Sequence, residues 1–290
     1  MPRYAIVIPS YNRPEQLDKC LQAATAQDLD DYEVVVVDDG SPVPLASVCE
    51  KYGDRVRCLR QSNAGPATAR NHGAQSSDAR FIAFTDDDCE PATDWLSQLV
   101  KAHGGNDNRL VGGAVVNALP NDTYASASQA LCDFLYDYFG ASDGTMPFFT
   151  SNNIGMSRVG YERLGGFNQT FERAAAEDRD FGLRWRDMGG EMVFAQDAVI
   201  DHFHAMTFRK YWRQHSNYGA GAFRLHQVLE ERSSDQNKRE PLSFYMKLIL
   251  WPIRSGRLDR IHLSALMLLS QVAMVAGYAS ALRASKKSGS

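Results

Sequence analysis

Four short runs constrain this chain most: "YAIVIP" (4–9), "YEVVVVDDGS" (32–41), "VRCLRQ" (56–61) and "RFIAFT" (80–85). Their apolar parts run on without the alternation of a half-solvated strand, so both faces of each strand are expected to be buried. The segments between them have helical spacing. "EQLDKCLQAATAQ" (15–27) brings Leu17, Cys20, Leu21 and Ala24 onto one face, and "LASVCEKYG" and the Gly-led "AGPATARNHGAQSS" read as two further helices. Strand and helix in alternation predict an α/β fold with a parallel sheet covered on both sides. Polar residues follow the strands directly: Ser10 and Tyr11, then Asp38 and Asp39, then Asp86, Asp87 and Asp88. In open α/β sheets that carboxyl edge is where ligands bind.

Downstream, "DWLSQLVKAH" reads as a helix and "RLVGGAVVNA" as a strand. "YASASQALCDFLYDYFG" reads as an aromatic-rich helix, followed by the loop "ASDGTMPFF". "AAAEDRDFGLRWRDMGG" is a helix opened by acids and closed by Gly-Gly, as helix ends prefer. "EMVFAQDAVIDHFH" gives one or two strands and "FRKYWRQHSNYGAGAFRL" a polar, aromatic helix. A length of 290 residues allows one large domain with an appendage, or two small ones. Five scattered cysteines without a C-x-x-C pair suggest neither a zinc site nor a redox motif, and fit a cytoplasmic protein. The first apolar stretch is too short for a signal peptide.

The net charge of -4 gives no support for nucleic-acid binding through a broad basic surface. It is unevenly spread. Residues 241–290 carry seven cations (Lys247, Arg254, Arg257, Arg260, Arg283, Lys286, Lys287) against Asp259, a balance of +6, and residues 1–240 carry -10. Such a split can mark a membrane-facing segment on a soluble body. Within it, "IHLSALMLLSQVAMVAGYASAL" (261–282) has no Asp, Glu, Lys or Arg and is long enough to span a core of ~30 Å. His262, Ser264, Ser270, Gln271 and Ser280 weaken a spanning role, and cations on both flanks pick no orientation. "LSFYMKLILWPIR" (242–254) is a second apolar segment. Attachment to a membrane surface is the expectation, ahead of a helical bundle or oligomer interface, and ahead of a true span.

"IVIPSYNR", "VVVVDDGS", "NAGPATARNHG", "FTDDD", "LGGF" and "EDRDFGLRWRDMG" occur in fixed order over residues 4–225. Together they closely resemble the family 2 glycosyltransferases of the GT-A fold. The resemblance implies a mostly parallel central sheet flanked by helices, in a transferase domain over 1–225. Residues 1–110 would bind nucleotide and 111–225 would shape the donor sugar and acceptor. A helical, apolar and basic C-terminal region over 226–290 would follow, for membrane association or oligomerisation.

The same resemblance implies roles residue by residue. Pro9, Ser10, Tyr11 and Asp39 would form the nucleotide pocket, the Asp39 carboxylate accepting a hydrogen bond from a base N–H; the plainer reading is a capped turn. Arg70 would bind phosphate bidentately, or else form a surface ion pair. The run Asp86-Asp87-Asp88 fits the family's Asp-x-Asp motif. Asp88 would ligate Mn²⁺ or Mg²⁺, and Asp86 or Asp87 would meet the ribose, the sugar or metal-bound water. Of the pair Glu177-Asp178, Asp178 would be the general base of an inverting transfer, with Asp180 the lesser candidate; acids at a helix start are the alternative explanation. His202 and His204, two apart on a strand, would face one metal, with His202 preferred. Asn152 and Asn153 could hydrogen-bond sugar hydroxyls, and Trp212, Arg213 and Tyr218 would belong to a mobile acceptor-side segment.

The expected function is therefore a metal-dependent, inverting glycosyltransferase in cell-surface polysaccharide or glycolipid synthesis. UDP is the expected donor nucleotide, with GDP and dTDP open, and the acceptor is a carbohydrate or lipid-linked hydroxyl. The expected place is peripheral, on the cytoplasmic face of a membrane. A sugar nucleotidyltransferase would want a Gly-rich, Lys-bearing loop that "IPSYNRPEQ" does not supply. A non-catalytic nucleotide- or membrane-binding partner subunit is the other alternative, and Asp88 and Asp178 count against it.

Overall fold

The computed structural model describes residues 2–140, 146–171, 175–232, 240–254 and 260–288. The loop read over 141–149 lies partly, and Arg257 and Asp259 wholly, outside them. The chain forms two compact units, residues 1–118 with 140–203, and residues 119–139 with 204–290.

The first unit holds β1 (Tyr4–Ser10), α1 (Pro14–Ala24), β2 (Tyr32–Asp38), α2 (Ala46–Cys49), β3 (Val56–Arg60), α3 (Pro66–Gln75) and β4 (Phe81–Phe84). After these come β5 (Cys89–Pro91), α4 (Trp95–His103), β6 (Arg109–Asn117), β7 (Ile154–Ser157), α6 (Arg158–Leu164), α7 (Glu177–Asp187) and β8 (Glu191–His202). All eight strands join one sheet in the order β3-β2-β1-β4-β7-β6-β8-β5. The four strands expected from the apolar runs pair in parallel. β6 and β8 are also parallel, whereas β7 runs antiparallel to both its neighbours and β5 antiparallel to β8.

Burial on both faces explains the unbroken apolar runs. Ile6, Ile8, Val34 and Val36 pack with Leu17, Leu21, Trp95, Leu96 and Leu99 in the main core. Val35 and Val37 point the other way and pack with Ala69 of α3. The chain steps from β1 to β2 and β3 on one side, then returns to β4 on the other. Such a reversal opens a crevice beyond the carboxyl ends of β1 and β4. Ser10 and the acidic run 86–88 sit there.

Among its described residues the second unit contains four helices: α5 (Thr123–Tyr138), α8 (Phe208–Glu231), α9 (Leu242–Arg254) and α10 (Arg260–Ser288). Asp122 caps α5 by accepting from the backbone N–H groups of Tyr124 and Ala125, both at 3.0 Å. α10 packs along α8 at a small-residue crossing. A Cβ at Gly277 would lie 1.8 Å from the Ser216 carbonyl, and one at Gly219 would lie 1.8 Å from that of Met274. α10 is long and apolar enough to cross a membrane, with mean hydropathy 1.6 over its most apolar window. Only 22% of that window is buried, so it is not a core helix enclosed on all sides.

Candidate active site

Three strand ends and one helix start build the site. At the end of β1, the Ser10 hydroxyl donates to Asp87 Oδ2 at 2.7 Å. Arg13 follows one turn later, and its Nη1 lies 2.8 Å from both Asp87 Oδ1 and Asp88 Oδ2. The turn between them carries Asn12 at φ 55°, in the left-handed region. The repulsion within the acidic run is thus met by a cation 74 residues away in sequence. Asp87 is buried, and that burial pushes its carboxyl up to about 7 against the pull of Arg13.

Beyond β2, two adjacent aspartates brace the loops. Asp38 accepts from the backbone N–H groups of Ser41 and Leu45 and pairs with Arg60. Burial raises its pKa, and the hydrogen bonds from Ser41 and Leu45 together with the Arg60 charge more than offset this, leaving it below the usual value. Asp39 accepts from Gln61 Nε2 at 2.8 Å and from the N–H groups of Ala64 and Gly65 at 2.9 Å. Those three donors fill most of a carboxylate's roughly four lone-pair sites. The expected role of Asp39 as a base acceptor therefore shares the side chain with bracing the start of α3. Pro9 is buried within β1, and Tyr11 is 47% exposed at its end.

Arg70 is neither on the surface nor turned to solvent. Its side chain is 2% exposed, with Nη2 2.6 Å from Asp86 Oδ1 and Nη1 3.2 Å from Glu177 Oε1. Both Nη nitrogens meet carboxylates, and the buried Nε has no partner among the described residues, so this is an inward-facing ion pair rather than the surface one of the plainer reading. It ties α3, the acidic run and the start of α7 together. Glu177, expected beside the catalytic base, is this buried partner. Burial, followed by the neighbouring Asp178, pushes its carboxyl up to about 7, with Arg70 pulling the other way. Asp178 is raised as well, chiefly by burial, and accepts from the Arg179 N–H at 2.8 Å. Asp180 is committed to Arg184 at 2.8 Å. The residue before Glu177, Ala176, has φ 72°. With Asn12 it makes two non-glycine residues in left-handed conformation among those described, one in each loop at the site. Such backbone strain gathers at functional sites.

β5 pairs with β8 so that Cys89 stands opposite His202. His202 Nε2 consequently lies 3.4 Å from Asp88 Oδ1. The possible ligand atoms of Asp88, Cys89 and His202 all fall within 4.8 Å of one another. Burial, then Asp88, push the Cys89 thiol well above its usual pKa in the metal-free protein, and hard cations such as Mn²⁺ and Mg²⁺ prefer oxygen ligands to a thiol. The carboxylate and imidazole remain, a set that suits a divalent cation completing its shell with other oxygens. His204 is outside this group. β8 ends at His202, so strand alternation does not carry to residue 204, and the expectation that both rings face one metal loses its basis.

Asn153 takes a different job from the one expected. It accepts from Trp95 Nε1 at 2.8 Å and donates to the Ala114 and Ala198 carbonyls, and it is buried, so its polar atoms are turned inward. Asn152 keeps capacity: its Nδ2 lies 3.7 Å from Cys89 Sγ, and its buried Oδ1 has no partner among the described residues. Trp212, Arg213 and Tyr218 belong to α8 of the second unit, where Tyr218 OH lies 2.6 Å from Gln214 Nε2. Arg13, Cys89 and the Arg70 bridge were not assigned from the sequence. Arg13 stands inside the quoted "PSYNR", yet nothing local pairs it with acids at 87 and 88.

The sheet order, the strand reversal and the acidic run at its crevice define a GT-A fold. The glycosyl transferase family 2 model matches residues 5–165, more than half of the chain, and the chain belongs to that family. Glycosyltransferase AglE of Haloferax volcanii is 29% identical over 208 residues, covering 70% of this chain and 67% of its own. GalNAc(5)-diNAcBac-PP-undecaprenol beta-1,3-glucosyltransferase of Campylobacter jejuni is 33% identical over 111 residues, 36% of each chain. The chain spans about half to two thirds of the length of AglE and of the validoxylamine A glucosyltransferases of Streptomyces hygroscopicus, and about a quarter of the chondroitin synthase of Pasteurella multocida. Among solved structures, mannosyltransferase PcManGT from Pyrobaculum calidifontis, in complex with GDP-Man and Mn²⁺, superposes with a TM-score of 0.69 at 20% identity, covering 97% of this chain and 87% of that one.

Proposed function

We propose that this chain moves a sugar from a nucleoside-diphosphate sugar to an acceptor hydroxyl, with inversion and with Mn²⁺ or Mg²⁺ as cofactor. UDP is the first choice of donor nucleotide, and the GDP-Man complex of the structural neighbour keeps GDP beside it. The reading rests on the 3.4 Å approach of His202 Nε2 to Asp88 Oδ1 at the ligand edge of the sheet. These two residues would hold the cation. Bound there, it would supply positive charge to offset that gathering on the departing nucleoside diphosphate.

The protein's own groups do the rest. Ser10 and Arg13 fix Asp87 and with it the turn that aims Asp88. Arg70, shut off from solvent, holds the first turn of α7 against Asp86 and so positions Asp178. Asp178 takes the proton of the acceptor hydroxyl while its oxygen attacks the anomeric carbon from the face opposite the diphosphate. A raised pKa makes that carboxylate a better base near neutral pH than an ordinary aspartate. A single displacement with no enzyme nucleophile inverts the anomeric centre. Tyr11 offers a ring for the base, and Asn152 a polar atom beside the cation site.

The acceptor is read as lipid-linked, reached from the cytoplasmic face of a membrane. α10 exposes Ile261, Leu268, Val272, Val275 and Leu282, and its ends carry Arg260, Arg283, Lys286 and Lys287. An apolar face framed by cations suits an anionic bilayer surface, and the Campylobacter relative is named for an undecaprenol diphosphate. The test incubates the purified chain with UDP-, GDP- and dTDP-sugars and Mn²⁺, measuring nucleoside diphosphate release and, with an acceptor, the anomeric configuration of the product. Release from one donor and an inverted product support the reading. Retained configuration, or silence across the panel, contradicts it.

A further inference from the structure

Within the second unit, a cavity of about 510 Å³ opens between the end of α5 and one face of α9. It is lined by Phe134, Asp137, Tyr138, Lys247, Trp251 and Arg254. Lys247, Trp251 and Arg254 recur at helical spacing, so they form one stripe: cation, indole, cation. Phe134 is buried and supplies an apolar wall. Lys247 Nζ sits 5.3 Å from the centroid of the Tyr138 ring. The indole N–H of Trp251 donates to Asp137 Oδ2 at 2.9 Å, which fixes the ring and engages the one acid of the lining. Among the described residues neither Lys247 nor Arg254 is within ion-pair distance of a carboxylate.

We propose that this cavity binds a lipid phosphate, a phosphate or diphosphate head carrying a hydrocarbon chain. Two cations against one carboxylate leave a net positive rim, and an anionic head needs such donors. Three aromatic rings give the first part of the chain an apolar bed that a bare anion would not use. The volume is that of a site for a ligand of several hundred daltons, larger than a phosphate group requires. The proposal rests on the lipid-linked reading of the acceptor and makes it specific. The head would belong to the acceptor itself or to an acidic phospholipid.

The experiment titrates the full chain with farnesyl diphosphate, farnesol and inorganic pyrophosphate, following tryptophan emission, with Trp251→Phe to assign the signal. The expected result is saturable binding of farnesyl diphosphate. Farnesol and pyrophosphate should each bind at least tenfold more weakly. Lys247→Ala/Arg254→Ala should lose at least tenfold in affinity, and Lys247→Arg/Arg254→Lys, which keeps both charges, should retain it. Competition by phosphatidylglycerol vesicles, absent with phosphatidylcholine, assigns the head to the bilayer; indifference to both assigns it to the acceptor. Equal affinity for farnesol, or an unchanged affinity in the double alanine variant, overturns the proposal. Nucleotide release from donor alone is read on the same samples. Its absence beside intact farnesyl diphosphate binding overturns the transferase reading and leaves the cavity's ligand standing.

Discussion

At the scale of single residues, the site is held by buried charge. Arg70 joins two carboxylates out of solvent, and removing one member of a buried ion pair strands the others. Arg70→Met is expected to lose about 3 kcal/mol or more of stability, read by denaturant unfolding. Glu177 gives a pH signature. Its folded carboxyl, pushed up to about 7 from an ordinary 4.5, binds a proton more tightly than the unfolded one. Its contribution is therefore present at low pH and lost as pH rises from about 4.5 to 7. Unfolding of Glu177→Gln across pH should show the variant gaining on the native chain over that window, with a flat difference above it. Asp178, also raised, is expected to put the acid limb of the rate profile above the ordinary aspartate range. The limb should vanish in Asp178→Asn, along with about 10²–10⁴-fold of the rate. Motif and strand-end position in the sequence are enough to single out Asp88, His202 and Asp178 as candidates. It could not show Arg13 meeting Asp87, or Asn153 spending all its polar atoms inside, because those depend on partners tens of residues distant.

Among the elements, the long apolar runs and the helices with regular spacing were legible, since burial on two faces or on one writes a period into the chain. β5 and β7 were not: three and four residues are too few to carry a period. β8 invited two readings because the polar Gln196 and Asp197 interrupt it. The structure keeps one strand and absorbs the interruption as a shift of register against β6 between Gly113 and Ala114. In the helical unit, the crossing of α8 and α10 depends on Gly219 and Gly277 rather than on large apolar knobs. Gly277→Val would drive a side chain into the Ser216 carbonyl. A loss of about 1–3 kcal/mol is expected, measurable as a lower melting temperature, with the larger sheet unit as the internal reference.

For the whole molecule, the charge split between body and tail was visible from composition. That residues 119–139 join the C-terminal helices was not, because a unit built from two separated segments leaves no mark in chain order. The cations and apolar face of α10 predict binding to vesicles containing acidic lipid, weakening as salt rises and screens the attraction. Sedimentation that ignores both lipid charge and salt would argue for a protein partner instead. The central claim, metal-dependent transfer at the crevice of β1 and β4, has a more direct test. It compares Mn²⁺-dependent nucleoside diphosphate release by the native chain, Asp88→Ala and Asp178→Asn, with nucleotide binding measured beside it. The account expects Asp88→Ala to lose metal-dependent binding and turnover together, and Asp178→Asn to keep binding while losing turnover. Full turnover by Asp178→Asn, or unaltered metal dependence in Asp88→Ala, would contradict it.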